Sequence, residues 1–108
     1  MWKDDNGKIE ELYKEIKKIK IFPTICPVCK KKDAHIYIHV YNGKTRRGGV
    51  WVWCSDCHTF FHGSTVVPDY WDNCTRVEVE KLCAIPNYLD ELKEIIDAHV
   101  NTMLENQM

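Results

Sequence analysis

Apolar residues recur at intervals of three and four near the start of the chain. Within residues 8–20 the recurring positions are Ile9, Leu12, Tyr13, Ile16 and Ile19, with lysines and glutamates between them. This spacing places the apolar side chains on one face of a helix. Proline disfavours helical geometry in the residue before it, so Pro23 limits the helix. The pattern predicts an N-terminal helix within residues 1–21.

The middle of the chain changes to a period of two. In residues 34–41 small or aliphatic residues alternate with histidine and tyrosine, which predicts a half-buried β-strand. Turn residues at 42–43 and 48–49 enclose a basic tip, and residues 50–53 return as a second strand. A third strand is expected from Thr59 to Val67. We therefore expect an antiparallel sheet of about three strands.

The helical period returns at the end of the chain. A stripe between residues 87 and 105 predicts a C-terminal helix and consists of Leu89, Leu92, Ile95, Ile96, His99, Val100 and Met103. The predicted fold is a single α+β domain of residues 1–108. It comprises an N-terminal helix (1–21), a β-sheet segment (22–67), a connecting segment (68–86) and a C-terminal helix (87–105).

The composition fits a globular protein of one domain, with 108 residues, 44% of them hydrophobic and 29% charged. No apolar run approaches the roughly 20 residues that cross a bilayer. The first residues also lack the apolar stretch of a secretory signal. We therefore expect a cytoplasmic protein with no membrane partner.

The net charge of −1 conceals an uneven distribution. Residues 1–49 contain twelve Lys and Arg against six Asp and Glu, whereas residues 50–108 contain three against ten. The whole molecule therefore has no bulk attraction for nucleic acid, and any such contact would have to be local.

Four of the six cysteines form two Cys-x-x-Cys pairs: Cys26 with Cys29, and Cys54 with Cys57. Four thiolates satisfy one tetrahedral structural zinc ion, and a β-hairpin between the pairs would bring them together. His58 or His62 in place of one cysteine is a chemically allowed alternative. Cys74 and Cys83 lack ligand spacing, so we expect them to be free thiols.

At these four cysteines the chain resembles the zinc ribbon group, whose members carry Cys-x-x-Cys knuckles at the ends of a β-hairpin. The resemblance covers residues 22–67 and implies one zinc ion with a structural role. The second knuckle carries Ser55, Asp56 and His58 where many ribbons have a small residue or glycine.

Four thiolates leave a zinc ion no open position for water, unlike the ligand set of a catalytic zinc. The sequence also lacks the motifs of zinc proteases, serine hydrolases and zinc deaminases. We therefore expect no enzymatic activity, no catalytic residues and no small-molecule substrate.

The expected function is a zinc-stabilised module that binds another protein, in particular an inhibitor or immunity protein that occludes a basic partner such as a toxin. The candidate contact residues are aromatic or acidic: Tyr37, Tyr41, Trp51, Trp53, Asp90, Glu91, Glu94 and Asp97. Parts of residues 34–71 also resemble small bacterial proteins found beside polymorphic toxins. For the strand aromatics, burial under a helix is the competing interpretation.

Nucleic-acid binding is the alternative function. It would use Lys44, Arg46 and Arg47 at the basic tip, the lysines at 30–32 and nearby aromatics. The acidic second half of the chain argues against it.

Overall fold

A computed structural model of the chain describes residues 1–4 and 7–106. Its five-stranded mixed sheet has the order β1-β5-β4-β3-β2. The strands are β1 (Lys3–Asp4), β2 (Thr24–Ile25), β3 (Lys32–Val40), β4 (Arg47–Cys54) and β5 (Thr59–Val66). The helices are α1 (Glu11–Lys14), α2 (Asn87–Glu91) and α3 (Lys93–Glu105), with 3₁₀ turns at Ile16–Lys18 and Val79–Lys81.

The prediction of an α+β fold is confirmed, and the three predicted strands correspond to β3, β4 and β5. The predicted strand count is too low because β1 and β2 each have two residues, too few to show an alternation. β1 adds to β5 in parallel, and β2 adds to β3 antiparallel. The sheet is therefore mixed instead of purely antiparallel.

The β3–β4 hairpin pairs Ala34 with Cys54 at one end and Val40 with Gly48 at the other. Its turn is stabilised by the Asn42 side chain, which accepts hydrogen bonds from the amides of Lys44 and Thr45 at 2.9 and 3.2 Å. β4 begins before the glycines expected in the turn. A Cβ at position 48 would lie 2.0 Å from the carbonyl oxygen of residue 39, so the close approach of the strands requires glycine.

The expectation that β3 is half buried is wrong, because residues 34–39 are all buried. The face carrying His35 and Tyr37 bonds to the chain after the sheet, from position 74 onward. On the opposite face Tyr13 hydrogen-bonds Thr65, which brings the N-terminal segment over that side. The sheet is therefore covered on both faces.

Both predicted helices are only partly matched. The N-terminal segment forms one α-helical turn and one 3₁₀ turn, since its backbone leaves helical geometry at Glu15. Short isolated helices are marginal, so tertiary contacts at the buried Ile9 and Ile16 decide the local conformation. The C-terminal helix is divided at Leu92, where no proline or glycine marks the break.

Among the described residues, no helix has the length and apolar character needed to cross a membrane.

Candidate metal centre

Two loops of the same geometry present the paired cysteines. In the first knuckle (residues 26–30) the Lys30 amide donates to the Cys26 carbonyl at 2.9 Å, and in the second (residues 54–58) the His58 amide donates to the Cys54 carbonyl at 3.0 Å. Lys30 and His58 both have left-handed backbones, with φ of 68° and 60°. Residues other than glycine therefore make both turns.

Backbone amides also point at the sulfur atoms. The amide of Val28 donates to Cys26 Sγ at 3.3 Å, and the amide of Asp56 donates to Cys54 Sγ at 3.4 Å. Each donor lies two residues after the sulfur it contacts, so the knuckles repeat the same contact. Such donors stabilise a thiolate, because they place positive partial charge beside it.

The two knuckles meet across the base of the hairpin. The Sγ atoms of Cys26 and Cys57 are 3.8 Å apart, and those of Cys29 and Cys54 are 3.6 Å apart. All four sulfur atoms lie within 4.8 Å of one another, which is close enough to share one metal ion. The structure thus brings together the four cysteines that the sequence predicts as ligands.

Burial and backbone hydrogen bonds shift the pKa of these thiols in opposite directions. Burial is the largest influence at Cys26 and Cys54 and raises the pKa of both. At Cys57 burial also acts to raise the pKa, but hydrogen bonds from Thr59 and the neighbouring cysteines lower it overall. The Thr59 hydroxyl lies 3.2 Å from Cys57 Sγ and can donate to a thiolate there.

The two histidines considered as alternative ligands have other contacts. The His58 ring packs on Trp2 with 4.6 Å between centroids, and the Lys3 amide donates to the His58 carbonyl at 2.7 Å. The His62 ring stacks on Trp51 with 4.6 Å between centroids. Trp2 and β1 thus contact the second knuckle, and no pattern in the sequence predicts these contacts.

A buried polar network begins beside the second knuckle. Both carboxylate oxygens of Asp97 lie 2.9 Å from His35 Nδ1, and His35 Nε2 lies 2.9 Å from Ser55 Oγ. The Ser55 hydroxyl donates to Asp90, which also accepts a hydrogen bond from Trp53 Nε1 at 3.1 Å. Residues from β3, β4, the second knuckle, α2 and α3 are therefore joined.

The order serine, histidine, aspartate matches the hydrogen bonds of a catalytic triad. However, a hydroxyl has one proton, and Ser55 donates its proton to Asp90, so Ser55 Oγ accepts from His35. His35 is also only 1% exposed. The arrangement connects the second knuckle to the C-terminal helices and does not present an activated serine.

Half of the eight predicted contact residues are interior. Tyr37, Trp51 and Trp53 are at most 1% exposed, and Asp97 is 8% exposed. Both indole N–H groups are satisfied, with Trp51 donating to the Cys83 carbonyl at 2.8 Å. These aromatics are therefore buried, as the competing interpretation expects, but within the described part of the chain only Trp53 bonds to a helix, whereas Trp51 bonds to the loop at position 83.

The remaining predicted contact residues reach the surface. Tyr41 is 57% exposed, and Glu91 and Glu94 are also exposed. Asp90 is half buried in the polar network. The surface part of the predicted contact set is thus Tyr41, Glu91 and Glu94.

The three basic residues of the hairpin tip differ: Arg46 makes structural hydrogen bonds, whereas Lys44 and Arg47 face the surface. Arg46 donates from Nη2 to the carbonyls of Pro68 and Trp71 at 2.6 and 2.7 Å, which holds the start of the connecting segment. Lys44 and Arg47 are exposed. The lysines at 30–32 lie at the other end of β3, whose nine residues extend over eight steps of about 3.3 Å, or roughly 26 Å.

Comparisons with protein-family models, curated proteins and solved structures find no match to this chain.

Proposed function

We propose that the chain is a non-enzymatic protein-binding module whose fold is stabilised by one structural zinc ion. Zn–S bonds of about 2.3 Å in a tetrahedron place sulfur atoms roughly 3.8 Å apart. The observed separations of 3.8 and 3.6 Å support this ligand set of Cys26, Cys29, Cys54 and Cys57. Four thiolates saturate the ion, which gives it a structural role.

The proposed contact surface lies around the second 3₁₀ turn and α2. Lys81 pairs with Glu78 at 2.9 Å and lies 5.7 Å above the Tyr88 ring, while the Glu78 amide donates to the Tyr88 hydroxyl at 3.0 Å. These contacts bring exposed Glu78 and Glu80 beside α2, where Glu91 is one helical turn from Tyr88.

Exposed apolar side chains accompany these acids. Val79 is 44% exposed and Ile85 is 48% exposed, and Glu94 extends the acidic group at the start of α3. Glu78 is paired with Lys81, so we call the remaining set of Val79, Glu80, Ile85, Glu91 and Glu94 the acidic surface. It is the observation that carries the proposal, because negative charge around apolar contacts complements a basic protein surface.

The proposed partner is a protein with a basic site, in particular a toxin that this chain inhibits as an immunity protein. An acidic module occludes a nucleic-acid-binding or phosphate-binding groove by occupying it with carboxylates. Charge attraction also speeds encounter with a basic partner, so the association rate should fall as salt rises.

Affinity capture from the native cell tests this proposal with two matched triple variants. Glu80→Gln, Glu91→Gln and Glu94→Gln neutralise the acidic surface, whereas Glu11→Gln, Glu15→Gln and Glu105→Gln neutralise three exposed acids elsewhere. We expect the wild type and the second variant to retain one basic protein that the first variant loses. Equal recovery by both variants would contradict the proposal.

Nucleic-acid binding is tested separately by fluorescence anisotropy with random DNA and RNA oligonucleotides. We expect negligible binding at physiological salt, because the two basic groups predicted to bind nucleic acid lie at opposite ends of β3 and Arg46 is engaged with carbonyls. Tight, salt-sensitive binding that Lys44→Ala and Arg47→Ala abolish would favour the alternative.

A further inference from the structure

The β3 and β5 edges of the sheet differ in how their outward-pointing backbone groups are hydrogen-bonded. On the β3 side, Trp71 Nε1 donates to the Ile38 carbonyl at 2.6 Å. Asn73 accepts from the Val40 amide at 2.7 Å and donates to the Val40 carbonyl at 3.0 Å. Side chains thus occupy the backbone groups of β3 beyond the short strand β2, which prevents another strand from pairing there.

Among the described residues, the outer edge of β5 is unpaired along most of the strand, from residue 61 to residue 66. β4 pairs with one side of β5 along the strand, whereas on the outer side β1 pairs only with Thr59 and Phe60, and no other strand within residues 1–4 and 7–106 pairs there. The Val67 amide donates to the Arg46 carbonyl at 2.8 Å, so in the antiparallel β4–β5 ladder the odd-numbered residues of β5 bond to β4. The backbone N–H and C=O groups of His62, Ser64 and Val66 therefore point outward from the edge, away from β4.

The chemistry of this strand favours pairing instead of opposing it. Residues 59–66 contain no lysine, glutamate, aspartate, arginine or proline, the residues that commonly protect an edge. His62, Ser64 and Val66 are exposed, Val66 by 57%. An uncharged edge strand with unpaired backbone groups is a template for another strand.

We propose that β5 pairs with β5 of a second copy of this chain, antiparallel about a two-fold axis at Ser64. In this register Ser64 faces its own symmetry mate, and His62 faces Val66 of the other copy. All three outward-pointing residues then become hydrogen-bonded pairs, which yields six backbone hydrogen bonds and a continuous ten-stranded sheet. Identical uncharged strands are compatible in this orientation, because no like charges meet across the axis.

Sedimentation equilibrium over a dilution series tests the proposal. We expect the wild type to reach twice the 12.7 kDa of one chain. Ser64→Lys places like charges opposite each other at the axis and should give a monomer, as should Ser64→Glu. An equimolar mixture of the two variants should restore the dimer, whereas Thr75→Lys, at an exposed position in the connecting segment, should remain dimeric.

Hydrogen exchange provides a readout that needs no variant. The amides of His62, Ser64 and Val66 should become more protected as wild-type concentration rises, while those of exposed loop residues stay unchanged. A wild type that remains monomeric, or a dimer that Ser64→Lys leaves intact with these amides unprotected, would overturn the proposal. A monomer whose β5 amides become protected only on adding another protein would assign the edge to that partner instead.

Discussion

Removing the Asp97 carboxylate should destabilise the protein strongly. Asp97 contacts His35 with both oxygens at 2.9 Å, and the side chains are 11% and 2% exposed. Leaving a buried hydrogen-bond donor without its acceptor costs about 1 to 3 kcal/mol, and Asp97→Ala does this to His35 Nδ1. For a chain of 108 residues, the upper value of about 3 kcal/mol corresponds to a melting temperature lower by roughly 12 °C.

Urea denaturation of Asp97→Ala measures this loss, and Glu94→Ala on the same helix is the matched control. Glu94 is exposed, so its replacement should change stability by less than about 0.5 kcal/mol. Adding His35→Ala to each background gives the coupling energy of the pair, expected to exceed about 1 kcal/mol. If Asp97→Ala and Glu94→Ala have the same unfolding midpoint, the network does not stabilise the fold.

Three further outcomes follow from named contacts. Cys54→Ser should abolish metal retention and cooperative unfolding, whereas Cys83→Ser, at an exposed thiol, should shift the melting curve little. If the two variants give the same melting curve, the metal centre is not structural. Arg46→Ala should cost about 1 to 3 kcal/mol in urea denaturation, because two partly buried carbonyls lose a charged donor. Burial lowers the pKa of His39, so the unfolded chain binds the proton more readily and stability should fall as pH drops below about 6.5. The fall should be smaller in His39→Gln; an identical pH profile would exclude this origin.

The parts of the fold with a repeating pattern could be predicted from the sequence. Strict alternation located β3, and ligand spacing located the four cysteines, because both signals depend on local geometry. The position of Asp97 could not be predicted in the same way. Nothing local distinguishes it from Glu94 on the same helix; only the packing of α3 against β3 decides which carboxylate is buried.

The strand aromatics show a second limit of local patterns. Tryptophan is a residue type common in interfaces, yet Trp51 is buried, and its indole N–H donates to the carbonyl of Cys83, 32 positions later. The conformation of residues 69–86 could not be predicted from the sequence, because it has no repeating pattern. Single contacts, such as the hydrogen bond from Trp71 to the Ile38 carbonyl, hold this segment in place. Contacts distant in sequence therefore determined the surface that is left for a partner.

Zinc K-edge X-ray absorption on the purified protein tests the central claim most directly. The account predicts zinc bound to the folded chain with four sulfur scatterers at about 2.3 Å and no oxygen or nitrogen in the first shell. A bound water or imidazole in that shell, or folded protein without zinc, would contradict a saturated structural centre.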